Sequence, residues 1–172
     1  MEYKTKGKKT WFIDAIDCET RYMVASEFTK KRGQKEIKKV IARAKQKTDN
    51  QIKICTTDGY FGYSKVVKSV FGYNKKLRKY NVFHNRVTQL KGEGFNHKVE
   101  RLHSNIRART KTFRGFKEVN SANAVMKGYE IYYNFIRSHQ AIGCCPYELA
   151  VPELKLGVNK WNDLIKLSKQ NN

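Results

Sequence analysis

The sequence predicts an α/β layered fold, because two short apolar strands are followed by an amphipathic helix and then by a further strand. Residues 11–17, Trp-Phe-Ile-Asp-Ala-Ile-Asp, are apolar on both faces and too short for a stable helix, which reads as a buried strand. Residues 21–28 read as a second strand, joined to the first by the polar turn Cys18-Glu19-Thr20 to make a hairpin. Ile37, Val40, Ile41 and Ala44 then recur at i, i+3, i+4 and i+7 after Gly33, with lysines between them. That spacing predicts a helix with one face on a core.

Residues 51–56 form a short strand, with Asp58-Gly59 placed where it should end. Tyr63, Val66, Val67 and Val70 mark a second helix, and residues 77–83 read as another strand. Residues 84–97 show no periodicity and include Gly92 and Gly94, so they read as a loop. A helix is expected from residue 96 to 111, with Val99, Leu102 and Ile106 buried and Glu100, His103 and Arg107 on a different stripe. A last long helix is expected over 121–137, with Ala122, Val125, Tyr129, Tyr132 and Ile136 facing inward. Residues 1–150 thus make one domain, and residues 151–172 a polar tail punctuated by Pro152 and Gly157 and docked by Trp161, Leu164, Ile165 and Leu167.

A chain of 172 residues with 40% hydrophobic content can build one buried core. No apolar run approaches the roughly 20 residues that cross a bilayer, and the start lacks the apolar stretch of a signal peptide. A cytoplasmic, nucleoid-associated protein is expected. Cys18, Cys55, Cys144 and Cys145 show no Cys-x-x-Cys spacing, which argues against a disulfide framework and a zinc ribbon. His97 and His103 with the adjacent cysteines match no established zinc site either.

Charge is the sharpest bulk property: 36 Lys and Arg oppose 15 Asp and Glu, a net +21. Because this charge is spread over the whole chain, nucleic acid fits it better than a membrane surface. Tyr60, Tyr63, Tyr73 and Tyr80 interleave with Lys65, Lys68, Lys75, Lys76, Arg78 and Lys79. Such a pattern can stack on bases, with half of these tyrosines expected in the core.

Against this background two acids stand out. Asp58 ends a strand in Thr-Asp-Gly, and 41 residues intervene before Glu100, which sits on a helix among Arg101, Arg107, Arg109, Lys111 and Arg114. Carboxylates inside a basic surround suit a divalent cation placed between them and phosphates, and Mg²⁺ (or Mn²⁺) takes such oxygen ligands. The alternative is structural: Asp58 caps the next helix or turns with Gly59, and Glu100 pairs with neighbouring arginines.

The motifs around these acids carry a resemblance. Residues 96–103, Asn-His-Lys-Val-Glu-Arg-Leu-His, with Arg109-Thr110-Lys111 and Arg114-Gly115-Phe116-Lys117 behind them, resemble the third-acid helix of DDE-type insertion-sequence transposases. Tyr133-Asn134-Phe135 with Arg137 and His139, then Pro146 and Glu148, is similar to that family's later segments. Ile16-Asp17, Thr20-Arg21 and Thr57-Asp58-Gly59 match in order upstream. Ser138 stands in place of the family's usual proline, and His97 where a second asparagine is common.

The resemblance implies a ribonuclease H-like mixed sheet flanked by helices, and metal-dependent cleavage and transfer of DNA strands. It makes Asp58 and Glu100 the second and third metal-holding catalytic acids. Arg101, Arg107, Arg109, Lys111, Arg114 and Lys117 become DNA contacts, and the expected partners are transposon-end and target DNA together with a second copy of the chain. Only 40 residues separate Asp17 from Asp58, fewer than family members place between their first two acids. Counting back from Gly7-Lys8-Lys9-Thr10-Trp11 puts the family's first aspartate just before Met1, which implies an incomplete first strand and a chain inactive alone.

Asp17 is then either a hairpin-end residue or a catalytic acid on a short version of the fold; aspartate near a turn favours the first. Asp14 points to the opposite face of the strand from Asp17. Two other functions fit the composition: a non-catalytic basic protein that coats DNA, and an RNA-associated structural protein.

Overall fold

The computed structural model describes residues 1–87, 97–113 and 115–170. Strands β1 (Glu2–Thr5), β2 (Lys8–Ile16) and β3 (Met23–Thr29) form an antiparallel sheet with β2 in the middle. Lys6 and Gly7, at φ 48° and 76°, make the two-residue turn between β1 and β2, a conformation that favours glycine at the second position. β2 and β3 pair from Trp11 opposite Thr29 to Ile16 opposite Met23, with a bulge between Ala15 and Ile16.

The sheet is covered on both faces, which is why β2 reads as apolar throughout. Ile13, Val24 and Ala25 pack on helices α1 (Gln34–Lys47) and α2 (Gly62–Phe71). Phe12, Met23 and Phe28 on the other face pack on α3 (His97–Thr110) and α4 (Val119–Ile131). Ile37, Val40, Ile41 and Ala44 are all buried, as their spacing predicts. Between α1 and α2 runs β4 (Ile54–Thr57), which pairs in parallel with β7 (Phe83–Arg86).

Three stretches differ from the sequence pattern. Residues 77–83 are not one strand: β5 (Tyr73–Asn74) and β6 (Lys79–Tyr80) make a small hairpin, and β7 begins at Phe83. The break follows from turn chemistry, since Asn74 Oδ1 accepts the Leu77 N–H at 3.0 Å and Arg78 sits at φ 50°. Residues 84–86 of the expected loop belong to β7, whose Phe-His-Asn-Arg sequence carries no apolar alternation; Gly92 and Gly94 lie outside the described residues.

On α4 the buried stripe is Ala122, Met126 and Glu130, while Val125 is 43% exposed. Hydropathy cannot place this stripe because an acid anchors it. Glu130 Oε2 accepts from Ser26 Oγ of β3 at 2.5 Å and from Lys127 Nζ at 2.8 Å.

The chain then widens into a π-helical turn, Tyr132–Ile136, which buries the consecutive residues Tyr133 and Asn134. Asn134 Oδ1 accepts the Met23 N–H at 2.8 Å, and its Nδ2 donates to the Met23 carbonyl at 3.0 Å, so one side chain replaces a strand neighbour. The Phe135 ring stacks on Tyr147 at 5.5 Å, and His139 meets Tyr133 at 4.3 Å. The Tyr-Asn-Phe segment therefore fastens α4 to β3.

Short helix α5 (Pro146–Ala150) follows, and the tail ends in helix α6 (Lys160–Gln170). Trp161 and Ile165, expected to dock the tail, are 45% and 53% exposed. All four cysteines are free thiols. No helix among the described residues is long and apolar enough to cross a membrane.

Candidate active site

Asp58 follows directly on β4, and its loop is pinned from the neighbouring strand β7. Thr57 Oγ1 and His84 Nε2 lie 2.9 Å apart, and the Arg86 guanidinium donates to the Gly59 carbonyl, through Nε at 3.1 Å. Burial, then Arg86, holds the His84 imidazole below its ordinary value. Asp58 Oδ1 accepts the Tyr60 N–H at 3.0 Å in a turn, and α2 begins beyond it with Phe61 as its capping residue.

The other oxygen, Oδ2, accepts from Arg32 Nη2 at 2.5 Å. Arg32 lies between β3 and α1 inside an aromatic cage, its guanidinium 4.6 Å from the centre of the Tyr60 ring and 5.6 Å from those of Trp11 and Tyr63. The Tyr60 hydroxyl donates to the Arg32 carbonyl at 3.0 Å. Burial, reinforced by Asp58, pushes the Tyr63 phenol up to about 12, so it stays neutral beside the pair. Nothing in Lys30-Lys31-Arg32 distinguishes Arg32 in the sequence; its role appears only once three aromatics from β2, the β4–α2 loop and α2 converge on it.

Asp14 of β2 points toward α3, where its Oδ1 meets His103 Nε2 at 2.7 Å. Its side chain is 2% exposed, and its second oxygen is buried without a hydrogen-bond partner among the described residues. The amino group of Met1, at the head of β1, is held below its ordinary value by burial; it lies in the fields of Asp14, Arg32 and Asp58.

Asp17 stands apart at the end of the β2–β3 hairpin. Its Oδ2 accepts from the Thr20 backbone N–H at 2.9 Å and from Thr20 Oγ1 at 2.5 Å, which closes the turn. Asp17→Ala is expected to destabilise the chain by about 1 kcal/mol, the usual net worth of such bonds, read as a lowered urea midpoint.

Glu100 occupies the first turn of α3, exposed, with no hydrogen bond or ion pair among the described residues. It does not pair with the described arginines around it, Arg101, Arg107 and Arg109. No bond joins it to Asp58, and no three His, Cys, Asp or Glu side chains among the described residues stand close enough to hold a metal ion together. Arg107 lies two turns beyond Glu100, with Lys111 a further turn on, so the three share a stripe.

Arg101, Lys111 and Lys117 are exposed and unpaired among the described residues, which suits them to phosphate. Arg109 is engaged instead: its Nη2 donates to the Tyr132 hydroxyl at 2.9 Å and its guanidinium sits 4.6 Å above that ring. Arg114 lies outside the described residues.

The fold has a counterpart among solved structures. No curated protein matches the chain. Among solved structures it is similar to a chain of the simian T-cell lymphotropic virus intasome in complex with the PP2A regulatory subunit B56 gamma, with a TM-score of 0.65 at 11% identity. The match covers 91% of this chain and 54% of that one, so this chain spans about half its length. At that identity the likeness shows the fold, which is ribonuclease H-like. A family model described as a DDE domain matches residues 3–139. That match takes in most of the chain, from β1 through the Tyr-Asn-Phe segment, and the chain therefore belongs to the DDE-domain family of transposase-like proteins.

Proposed function

We propose that this chain is a transposase catalytic domain that cleaves and transfers DNA strands, with Asp58 and Glu100 as metal-holding acids. The observation that carries this reading is the place of Asp58. In a DDE domain it stands at the end of β4, pinned by β7, its side chain 45% exposed rather than buried.

The residues fit a divalent cation by chemistry. Asp58 and Glu100 offer oxygen donors only, as Mg²⁺ or Mn²⁺ prefers, while no third acid joins them among the described residues. Bound there, such an ion supplies Lewis-acid polarisation of a phosphate and activation of an attacking hydroxyl. The chain's own residues do the remaining work. Arg32 holds Asp58 in place and keeps its charge matched until a ligand replaces it. Arg101, Arg107, Lys111 and Lys117 draw in the phosphate backbone, and Arg109 can join them only by leaving Tyr132.

The test is nicking and strand transfer on supercoiled plasmid with Mg²⁺ or Mn²⁺, using the chain as it stands and its Glu100→Gln and Asp17→Ala variants. Metal-dependent nicking lost in Glu100→Gln and kept in Asp17→Ala supports the reading. Loss in both makes Asp17 catalytic. A second reading, DNA binding without cleavage, is favoured by the engagement of both Asp58 oxygens and by the lack of a three-acid cluster among the described residues. It predicts salt-sensitive binding with no metal-dependent nicking.

A further inference from the structure

The β5–β6 hairpin lies outside the acids and basic stripe described above. Its eight residues, Tyr73 to Tyr80, carry Lys75, Lys76, Arg78 and Lys79 and no acid. Tyr73 and Tyr80 are direct cross-strand partners, so their rings stand on the same face, 5.0 Å apart and inclined at 59°. Lys68 of α2 places its ammonium 5.7 Å from one ring centre and 5.5 Å from the other.

Even so, the two tyrosines remain 42% and 45% exposed. The hairpin is anchored, since Asn81 Nδ2 donates to the Phe71 carbonyl at 2.9 Å and its N–H reaches the Gly72 carbonyl. Beside it runs a cleft of about 540 Å³ lined by Lys68, Arg78, Tyr80, Phe83 and His84, with Phe83 67% exposed. That volume lies in the range of small-ligand sites.

A cross-strand aromatic pair stabilises a two-stranded hairpin in its own right, but that role does not require the rings to stay 42% and 45% open to solvent or Phe83 to stand exposed beside them. Rings open to solvent and surrounded by cations match the chemistry of unpaired nucleic acid, whose bases stack while its phosphates meet lysines. We infer that the β5–β6 hairpin, with Lys68 and Phe83, is a binding platform for single-stranded DNA, with Tyr73 and Tyr80 stacking on bases. The inference rests on the reading of the chain as a DNA-handling domain, and it adds a site that duplex binding does not require, because bases in a duplex are already stacked.

The experiment is fluorescence anisotropy of the full chain with labelled dT20, rU20 and a 20-base-pair duplex over a salt series. The variants are Tyr73→Ala/Tyr80→Ala, Tyr73→Phe/Tyr80→Phe and Lys75→Ala/Lys76→Ala, each checked by circular dichroism for an unchanged fold. The alanine pair is expected to weaken dT20 binding by roughly tenfold or more, with its salt slope unchanged and duplex binding within about twofold. The phenylalanine pair keeps the stacking faces and binds like the parent chain. The lysine pair lowers the salt slope by about 0.7 for each phosphate that no longer meets an ammonium group.

Parent-like dT20 binding by the alanine pair overturns the platform while leaving the duplex reading intact. Equal loss on dT20 and duplex shows a general basic surface and overturns it as well. Tighter binding of rU20 than of dT20 reassigns the partner to RNA, and no binding of any probe by the parent chain refutes the DNA-handling reading itself.

Discussion

Asp58→Asn is expected to abolish magnesium-dependent nicking, by more than about 100-fold, because residues that merely support a metal ligand already cost 10- to 100-fold when removed. The substitution is nearly isosteric. Its carboxamide oxygen still accepts the Tyr60 N–H, so the loop pinned by His84 and Arg86 keeps its shape. What disappears is the negative charge that is proposed to hold a cation and that now pairs with Arg32. Because the Asp58 side chain is 45% exposed, loss of that pair is worth no more than about 1 kcal/mol, and the urea midpoint should hardly move. Duplex affinity should be unchanged or slightly greater, since one negative charge has left a basic surface. Nicking within tenfold of the parent chain refutes a catalytic role for Asp58.

The largest expected effect on stability belongs to Asn134. Both Asn134 and Met23 are essentially solvent-free, at 1% and 0% exposure, and the asparagine satisfies both backbone groups of Met23. Asn134→Ala leaves a buried N–H and a buried C=O without partners, each worth about 1 to 3 kcal/mol. A total loss of about 3 kcal/mol is expected, equivalent to a fall of roughly 6 to 12 °C in melting temperature for a chain of this size. Asn134→Asp keeps the acceptor but loses the donor and buries a charge, so it should rescue nothing. Urea melts followed by circular dichroism decide the matter; a change below about 0.5 kcal/mol in Asn134→Ala contradicts the account.

These two residues show what could and could not be read from the sequence. Helix α1 was legible because Ile37, Val40, Ile41 and Ala44 face one core, and the end of β4 was legible from Thr-Asp-Gly after a short strand. The order of the Tyr-Asn-Phe segment marked the family, but not the π-helical turn that lets Tyr133 and Asn134 point inward together. The buried face of α4 was misplaced around Val125 because a glutamate bonded to Ser26 and Lys127 occupies a position that hydropathy assigns to solvent.

Arg32 was illegible for a related reason. In sequence it is one cation in a basic run; in space it is held by Trp11, Tyr60 and Tyr63 against Asp58. Asp14 likewise gains meaning only when α3 brings His103 to it. Such groupings join residues far apart in the chain, and neither periodicity nor local propensity carries them. Tyr73 and Tyr80 were visible as aromatics among lysines, but their exposure and their pairing across a hairpin depend on the turn at Asn74 and Arg78.

The central claim is that Asp58 and Glu100 hold a divalent cation, and the most direct measurement is Mn²⁺ binding followed by electron paramagnetic resonance without DNA. The account predicts saturable binding by the parent chain that weakens at least roughly tenfold in Asp58→Asn and in Glu100→Gln and is unchanged in Asp17→Ala. Binding indifferent to both Asp58 and Glu100, or lost only in Asp17→Ala, contradicts it.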